Sequence, residues 1–425
     1  MKTIVKGLAL SAVASSVVMA GGYKIPEQSL NSMAKAGANV AYTTGADASY
    51  DNPANMSFMD ESKSYVEGGL TLVNLPSNVY SLGPVSGESQ TENIPIPYFH
   101  YVSEAMGDFR WGVSLVVPGG LTKRWETPYQ KAFVEEFTLK VIELNPNISY
   151  KILDNLSVGA GVRLIYSEGI VKSDASGIYP AGAEAFAPKR NMEGDTIEFG
   201  YNLALAYKPT SDINMAVTYR SEVNLDQEGT ANLSVGSPTA VPTGIATYSG
   251  GASVSVPLPA ALNLAVSKTW NDKFTLELNY ERTFWSAYET LDFNYAIALQ
   301  NPDLTATFDT PIPKNWKDTN TFRIGATIKM DNKITAMMGF AIDESPVPPE
   351  TLGFETPDTD AKIFSMGFQY QQTESLSWGL AFLYDSKEPI SFAPGENTVN
   401  PVIANGGSFS GGGAYLTTLG ISYEF

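Results

Sequence analysis

Period-two alternation is the feature that most constrains what this chain can fold into. In the segment IEFGYNLALAYK, Ile197, Phe199, Tyr201, Leu203, Leu205 and Tyr207 alternate with Glu198, Gly200, Asn202, Ala204, Ala206 and Lys208. In TFRIGATIKM, Phe322, Ile324, Ala326, Ile328 and Met330 alternate with Arg323, Gly325, Thr327 and Lys329. The segments LSVGAGVRLIY, INMAVTYR, FTLELNYE and KITAMMGFAI repeat the pattern. Successive strand side chains point to opposite faces, so each segment carries one apolar face and one small or polar face. The expectation is an all-β chain.

A soluble sandwich alternates too, but three features favour a transmembrane antiparallel barrel. The small face mixes Gly and Ala with charge, as a lumen tolerates, and aromatics recur near strand ends, where a bilayer has its interfaces. The connections also alternate in length. Tight turns fall at Asp154-Asn155, 210–212, Asn271-Asp272, Asp331-Asn332 and 372–374, with long polar connections at about 172–191, 222–250, 290–319, 344–360 and 386–412 between them. Short turns at one rim and long loops at the other are the pattern of an outer-membrane barrel, which pairs every backbone group in lipid without an edge. Counting from Ser64 gives about fourteen strands, with both ends of the sheet at the short-turn rim. The last, LTTLGISYEF, alternates through Leu419, Ile421 and Tyr423 to the terminal Phe425.

Residues 1–20 carry Lys2 and Lys6, an apolar run and small residues before Gly21. They read as a secretory signal cleaved after Ala20. No other apolar run approaches the length of a spanning helix. The chain has no Cys, which excludes disulfides, thiolate metal sites and Cys nucleophiles. A net charge of −18 argues against nucleic acid as a partner. The domain reading is a signal at 1–20, an N-terminal segment at 21–61 and a barrel at 62–425.

The N-terminal segment is rich in Ala, Gly, Ser and Asn and contains Asn52-Pro53-Ala54. Pro53 fixes its own φ and pushes Asn52 out of the helical region, so the triplet reads first as a turn ahead of a strand. Two readings fit the segment as a whole, a tether or a hatch folded inside the barrel. A barrel of this strand number encloses more space than its own side chains fill.

The ordered set of the NPA segment, LNPNISYKILDNLSVGAGVRLIY, TYRSEVNLDQEGTANLSV, LPAALNLAVSKTWNDKFTLELNY, WKDTNTFRIGATI, MGFAIDESPVPPETLGFETPDTD and the closing YEF resembles the FadL family. The resemblance spans nearly the whole mature chain and fails mainly in long loops. It implies a fourteen-stranded outer-membrane transporter of long-chain fatty acids or other hydrophobic compounds, with the N-terminal segment as a hatch. It also implies that Asn52, Pro53 and Ala54 form a gate tip meeting an inward kink of the third strand, which opens the barrel wall. The kink would fall at Pro118, Gly119 and Gly120 of FRWGVSLVVPGGLTKRW, where a Pro without an N–H and a Gly pair interrupt the strand. An aromatic-hydrocarbon or alkane channel of the same family is the alternative.

Between the third and fourth strands, Tyr129, Ala132, Phe133 and Phe137 fall at near-helical spacing. An amphipathic helix is expected there, and by resemblance Tyr129, Phe133 and Phe137 would line a surface groove where ligand lands. For a ligand head group the resemblance calls for basic side chains. Lys172, Lys314 and Lys317 lie nearest the expected positions, out of strict register, and read equally well as solvated loop charges. Arg220 and Glu222 share a strand face and are expected to pair and brace the wall. Asp343 and Glu344 lie beside Pro346, Pro348 and Pro349 with no metal-ligand spacing. An outer-membrane lipase would have to use His100, the only His, which has no nucleophile elbow near it. A general porin has no need of a plug. The expectation is therefore a non-enzymatic uptake channel without metal or cofactor. It would be monomeric, in contact with outer-membrane lipid and lipopolysaccharide, and would bind a hydrophobic small molecule.

Overall fold

The computed structural model describes residues 21–237 and 244–425, so the signal expected at 1–20 lies outside the described residues. The alternating segments become a closed antiparallel sheet. The first six strands are β1 (Tyr65–Leu75), β2 (Glu92–Val102), β3 (Phe109–Arg124), β4 (Glu136–Leu153), β5 (Leu156–Asp174) and β6 (Lys189–Thr210). Then come β7 (Ile213–Arg220), β8 (Ala261–Trp270), β9 (Phe274–Thr283) and β10 (Thr319–Lys329). The ring ends with β11 (Ile334–Asp343), β12 (Ala361–Gln371), β13 (Leu376–Lys387) and β14 (Ala414–Glu424). Each pairs with the next, and β14 returns to β1 in register from Tyr65↔Glu424 to Asn74↔Tyr415. Among the described residues the ring has fourteen strands, with both ends at the short-turn rim, as the turn pattern predicts. At Asn271 and Asp272 the backbone is left-handed, which these two side chains tolerate, and that lets a tight connection join β8 to β9.

One irregularity lies between β7 and β8. Beyond Arg220 the chain continues as a hairpin, Val223–Ser237 with Gly244–Leu258, which pairs with the upper part of β6 from Glu228↔Asp195 to Ser234↔Lys189. The upper rim is the one carrying the long connections.

The two faces of the ring differ as the sequence requires. On β6, Phe199, Tyr201 and Leu203 are 62%, 51% and 50% exposed, while Ala204 and Ala206 on the other face are buried. What buries the inner face is the N-terminal segment, which fills the lumen as a hatch. It contains α1 (Leu30–Ala34), α2 (Ala48–Asp51) and a 3₁₀ segment at Pro53–Phe58. The inward glycines form its sockets. A Cβ at Gly339 would lie 2.1 Å from the backbone carbon of Lys35, and one at Gly159 would lie 2.7 Å from the nitrogen of Ala54. Above the hatch, the upper lumen is apolar and aromatic, built around Tyr23, Trp285, Tyr288, Trp316 and Phe354.

Candidate functional site: hatch, wall opening and lumen pocket

The hatch is short on hydrophobic surface and is held by polar groups. Asp47 accepts hydrogen bonds from Ser29 Oγ, Asn31 Nδ2 and Asn39 Nδ2, tying α1 to α2. The wall supplies a second tie, because Glu277 of β9 accepts from the backbone N–H groups of Val40, Ala41 and Tyr42 at 2.6–3.0 Å. A third tie is aromatic: Tyr50 lies 4.2 Å beneath the Arg220 guanidinium. Burial, then the neighbouring Asp47, pushes Asp51 well above the usual carboxylate range. Burial raises Glu27 to about 7, against the opposing charge of Arg323.

Asn52, Pro53 and Ala54 do more than turn the chain. Asn52 caps the 3₁₀ segment, its Oδ1 accepting from Ala54 N at 3.1 Å, and Pro53 takes the first helical position, where its missing N–H costs nothing. The Asn52 amide also donates to Val40 O at 2.8 Å. Ala54 packs on Ala204 and Ala206, and its carbonyl accepts from Ser157 Oγ. The triplet therefore sits against β5 and β6, away from Pro118, Gly119 and Gly120, which corrects the expectation that it meets the third-strand kink.

The kink itself is present. β3 and β4 pair regularly from Phe109↔Tyr150 to Val116↔Glu143 and resume at Gly119↔Val141, so one extra residue is bulged at 117–118. β3 pairs with β2 only from Leu115↔Phe99 to Gly112↔Val102, whereas β2 pairs with β1 along its full length. Above Leu115 the wall is thus unpaired between β2 and β3. It closes again at the top, where Arg124 meets Glu92 at 2.7 Å and Gln90 N donates to Arg124 O. Residues 93–98 of β2 border the gap, a length of roughly 20 Å at the rise of a strand.

Residues 23–28 of the hatch cover this gap from inside. Ile25 N donates to Pro118 O, Gly120 N donates to Tyr23 O, and Lys24 forms a bridge with Gly119. Gln28 completes the strap, its Oε1 accepting from Val117 N at 3.0 Å and its Nε2 donating to Val117 O at 2.9 Å. His100 anchors the strap rather than serving chemistry, with Nε2 2.8 Å from Gln28 O and Nδ1 3.0 Å from Ser114 Oγ. Nothing in the sequence marked Gln28 for this role, because its partners lie almost ninety residues away.

An apolar pocket lies above the strap, lined by Tyr23, Leu121, Phe137, Leu139, Tyr288 and Phe293. The basic candidates do not point freely into it. Lys172 pairs with Glu136 at 2.7 Å, and buried Lys314 pairs with Glu355. Lys317 is exposed. A cation that the sequence did not single out lies nearer: the Arg190 guanidinium is 5.1 Å from the ring centre of Phe293, one of the lining residues. Its only sequence signal is a basic residue at an inward position near the start of β6.

Two further expectations need correction. The loop helix is a single turn, α3 (Pro128–Lys131), and Phe137 already belongs to β4. Tyr129 is exposed, Phe133 packs towards Phe354 and Phe137 lines the pocket, so the three do not share one helical face. Pro128 starts the helix, but the chain is drawn into the β3–β4 ladder before a second turn forms. Arg220 pairs with Glu143 of β4, as does Arg163, while Glu222 is exposed on the outside. The reason is the break after β7, which leaves both Ser221 and Val223 buried and shifts the alternation.

A closed fourteen-strand ring with a lipid-compatible outer belt, a folded hatch and an apolar pocket defines a plugged outer-membrane channel. The chain belongs to the outer membrane protein transport family described as OMPP1/FadL/TodX, whose sequence profile matches residues 11–425. It is 24% identical over 347 residues to the long-chain fatty acid transport protein of Escherichia coli K12, covering 73% of this chain and 75% of that one. The crystal structure of a Pseudomonas aeruginosa FadL homologue matches with a TM-score of 0.75 at 20% identity, over 95% of this chain and 99% of that one. That of the Pseudomonas putida toluene transporter TodX matches at 0.71 and 18% identity, over 95% and 98%. The protein is accordingly an outer-membrane transporter of hydrophobic compounds, and its family consists of transport proteins rather than enzymes.

Proposed function

We propose that this protein takes up long-chain fatty acids and releases them through its wall between β2 and β3, with residues 23–28 as the gate. The observation that carries the route is the coincidence of the unpaired β2–β3 gap with the hatch strap that covers it. Each methylene moved from water into an apolar pocket gains about 0.8 kcal/mol, so burying the tail gives affinity without fine geometry. Strap release then connects the pocket to the gap, and a concentration gradient maintained by consumption inside the cell suffices to drive flux. The channel acts as a monomer, with its outer belt in contact with lipid and lipopolysaccharide.

A carboxylate in an apolar pocket needs a cation or several donors, because an unpaired buried charge costs several kcal/mol. Arg190, rather than Lys172 or Lys314, is the residue we assign to it. A second reading, an aromatic-hydrocarbon channel, is favoured by one observation: Lys172 and Lys314 are already neutralised by Glu136 and Glu355. Oleate and toluene binding to wild type, Arg190→Ala and Lys314→Ala separates the two. Fatty-acid transport predicts oleate binding that weakens about tenfold in Arg190→Ala. Toluene binding without oleate binding transfers the assignment to the hydrocarbon reading.

A further inference from the structure

In an antiparallel strand, each residue directs both its N–H and its C=O to one neighbour, and the next residue serves the other. On β2 the odd-numbered residues serve β3, because Ser103 N donates to Trp111 O at 2.9 Å just past the strand end. Continuing up the same edge, past the last paired residue Phe99, the next two odd positions are Pro97 and Pro95. Neither has an N–H. The β2 edge that borders the wall opening therefore presents two carbonyls and no donor at these positions.

The opposite edge is satisfied from Val117 to Gly120. Val117 N is taken by Gln28 Oε1, Pro118 has no donor and gives its carbonyl to Ile25 N, and Gly120 N is taken by Tyr23 O. An unsatisfied N–H in a lipid-facing wall costs several kcal/mol, so an ordinary strand edge there would be driven to pair. With valine at both positions, continuation of the existing register would bring residue 97 to 117 and residue 95 to the stretch beyond the bulge, where Pro118 and Gly120 direct their groups to this side while Gly119 serves β4. Val117, Pro118 and Gly120 are the residues that the strap now holds.

We infer that Pro95 and Pro97 are positioning residues that keep the wall open: they form a donor-free sill that prevents β2 from recapturing β3 and leaves β3 to a releasable strap. The inference rests on the wall-exit reading above. It also explains why the sheet tolerates two prolines in the middle of a strand whose other edge is fully paired with β1, since a proline away from a strand start or a bulge needs its nitrogen to face an unpaired edge.

The test is Pro95→Val with Pro97→Val in the full-length protein, with uptake of oleate and of toluene each measured in cells and binding of each measured on purified protein. The expected result is at least a tenfold loss of uptake, binding unchanged within twofold, and amides 95 and 97 protected from hydrogen exchange. A loss of folding alone would not produce that split between binding and uptake. The single variants Pro95→Ala and Pro97→Ala, each restoring one donor, serve the same test with smaller losses if the double variant folds poorly. Wild-type uptake in the proline variants, with Gly120→Trp blocking transport, would overturn the inference and leave wall exit standing. Wild-type uptake in Gly120→Trp as well would remove wall exit and the inference together.

Discussion

Gln28→Leu keeps a side chain reaching as far as Cδ and removes its hydrogen bonds, so it isolates what the amide contributes to closing the wall. The amide makes three bonds, one to Ile25 O at 2.8 Å and two to the backbone of Val117. Leucine leaves Val117 N–H and C=O buried and unmatched. Each unmatched group costs about 1–3 kcal/mol, and the carbonyl falls at the low end, so the closed strap loses about 2–4 kcal/mol. At 1.4 kcal/mol per tenfold, that raises the strap-released fraction roughly thirty- to a thousandfold. Hydrogen exchange at Ile25 and Gly120, whose amides bond across the strap, reads the change directly. Both should accelerate by that factor, while amides in the β12–β13 ladder keep their protection. Wild-type exchange at both sites would refute the reasoning, since it would mean the strap is held by contacts other than Gln28.

The hatch should also respond to pH. Glu27 is raised from 4.5 to about 7 by burial, so its contribution to hatch docking is fully present below about 4.5 and is lost as pH rises through 7, amounting to at most about 3 kcal/mol. Hatch amide exchange, corrected for intrinsic rate, should therefore quicken between pH 5 and 8, and Glu27→Gln should flatten the profile. Gly339→Val places a side chain against the backbone of Lys35 where neither partner can yield, at a cost of about 3 kcal/mol. Trypsin should then cut at Lys35, with the heat-modifiable barrel unchanged on gels; an uncut hatch would show that the socket is not tight.

The barrel was legible because its rule is local. Alternation in β6 and β10, the tight turns and the terminal strand each need only about ten consecutive residues, and the structure keeps them all. The glycines of the small face were legible as inward but not as sockets, because Gly339 and Lys35 are neighbours only through the fold. The interruption at Pro118 follows from backbone chemistry and falls beside the register shift of β3, whereas the segment that meets it does not follow from the sequence. Asn52-Pro53 is a helix start, and the strand-pairing segment is residues 23–25, too short to show periodicity. Pairing Arg220 with Glu222 requires alternation to run unbroken through Ser221, and the strand breaks there. Pro95 and Pro97 in NIPIPYF are a plain sequence signal of an unpaired edge, the one that borders the opening between β2 and β3.

The central claim is that hydrophobic cargo leaves through the gap covered by residues 23–28, and a reversible staple tests it most directly. Lys24 and Gly119 face each other across an antiparallel bridge, within the reach of a disulfide, and the chain has no other cysteine to compete. In Lys24→Cys with Gly119→Cys, the same protein is compared oxidised and reduced, so any effect of the substitutions alone cancels. The account predicts that uptake of the bound hydrophobic ligand falls to background when the staple is closed and recovers with reductant, while binding persists in both states. Full uptake through a quantitatively oxidised protein would contradict it.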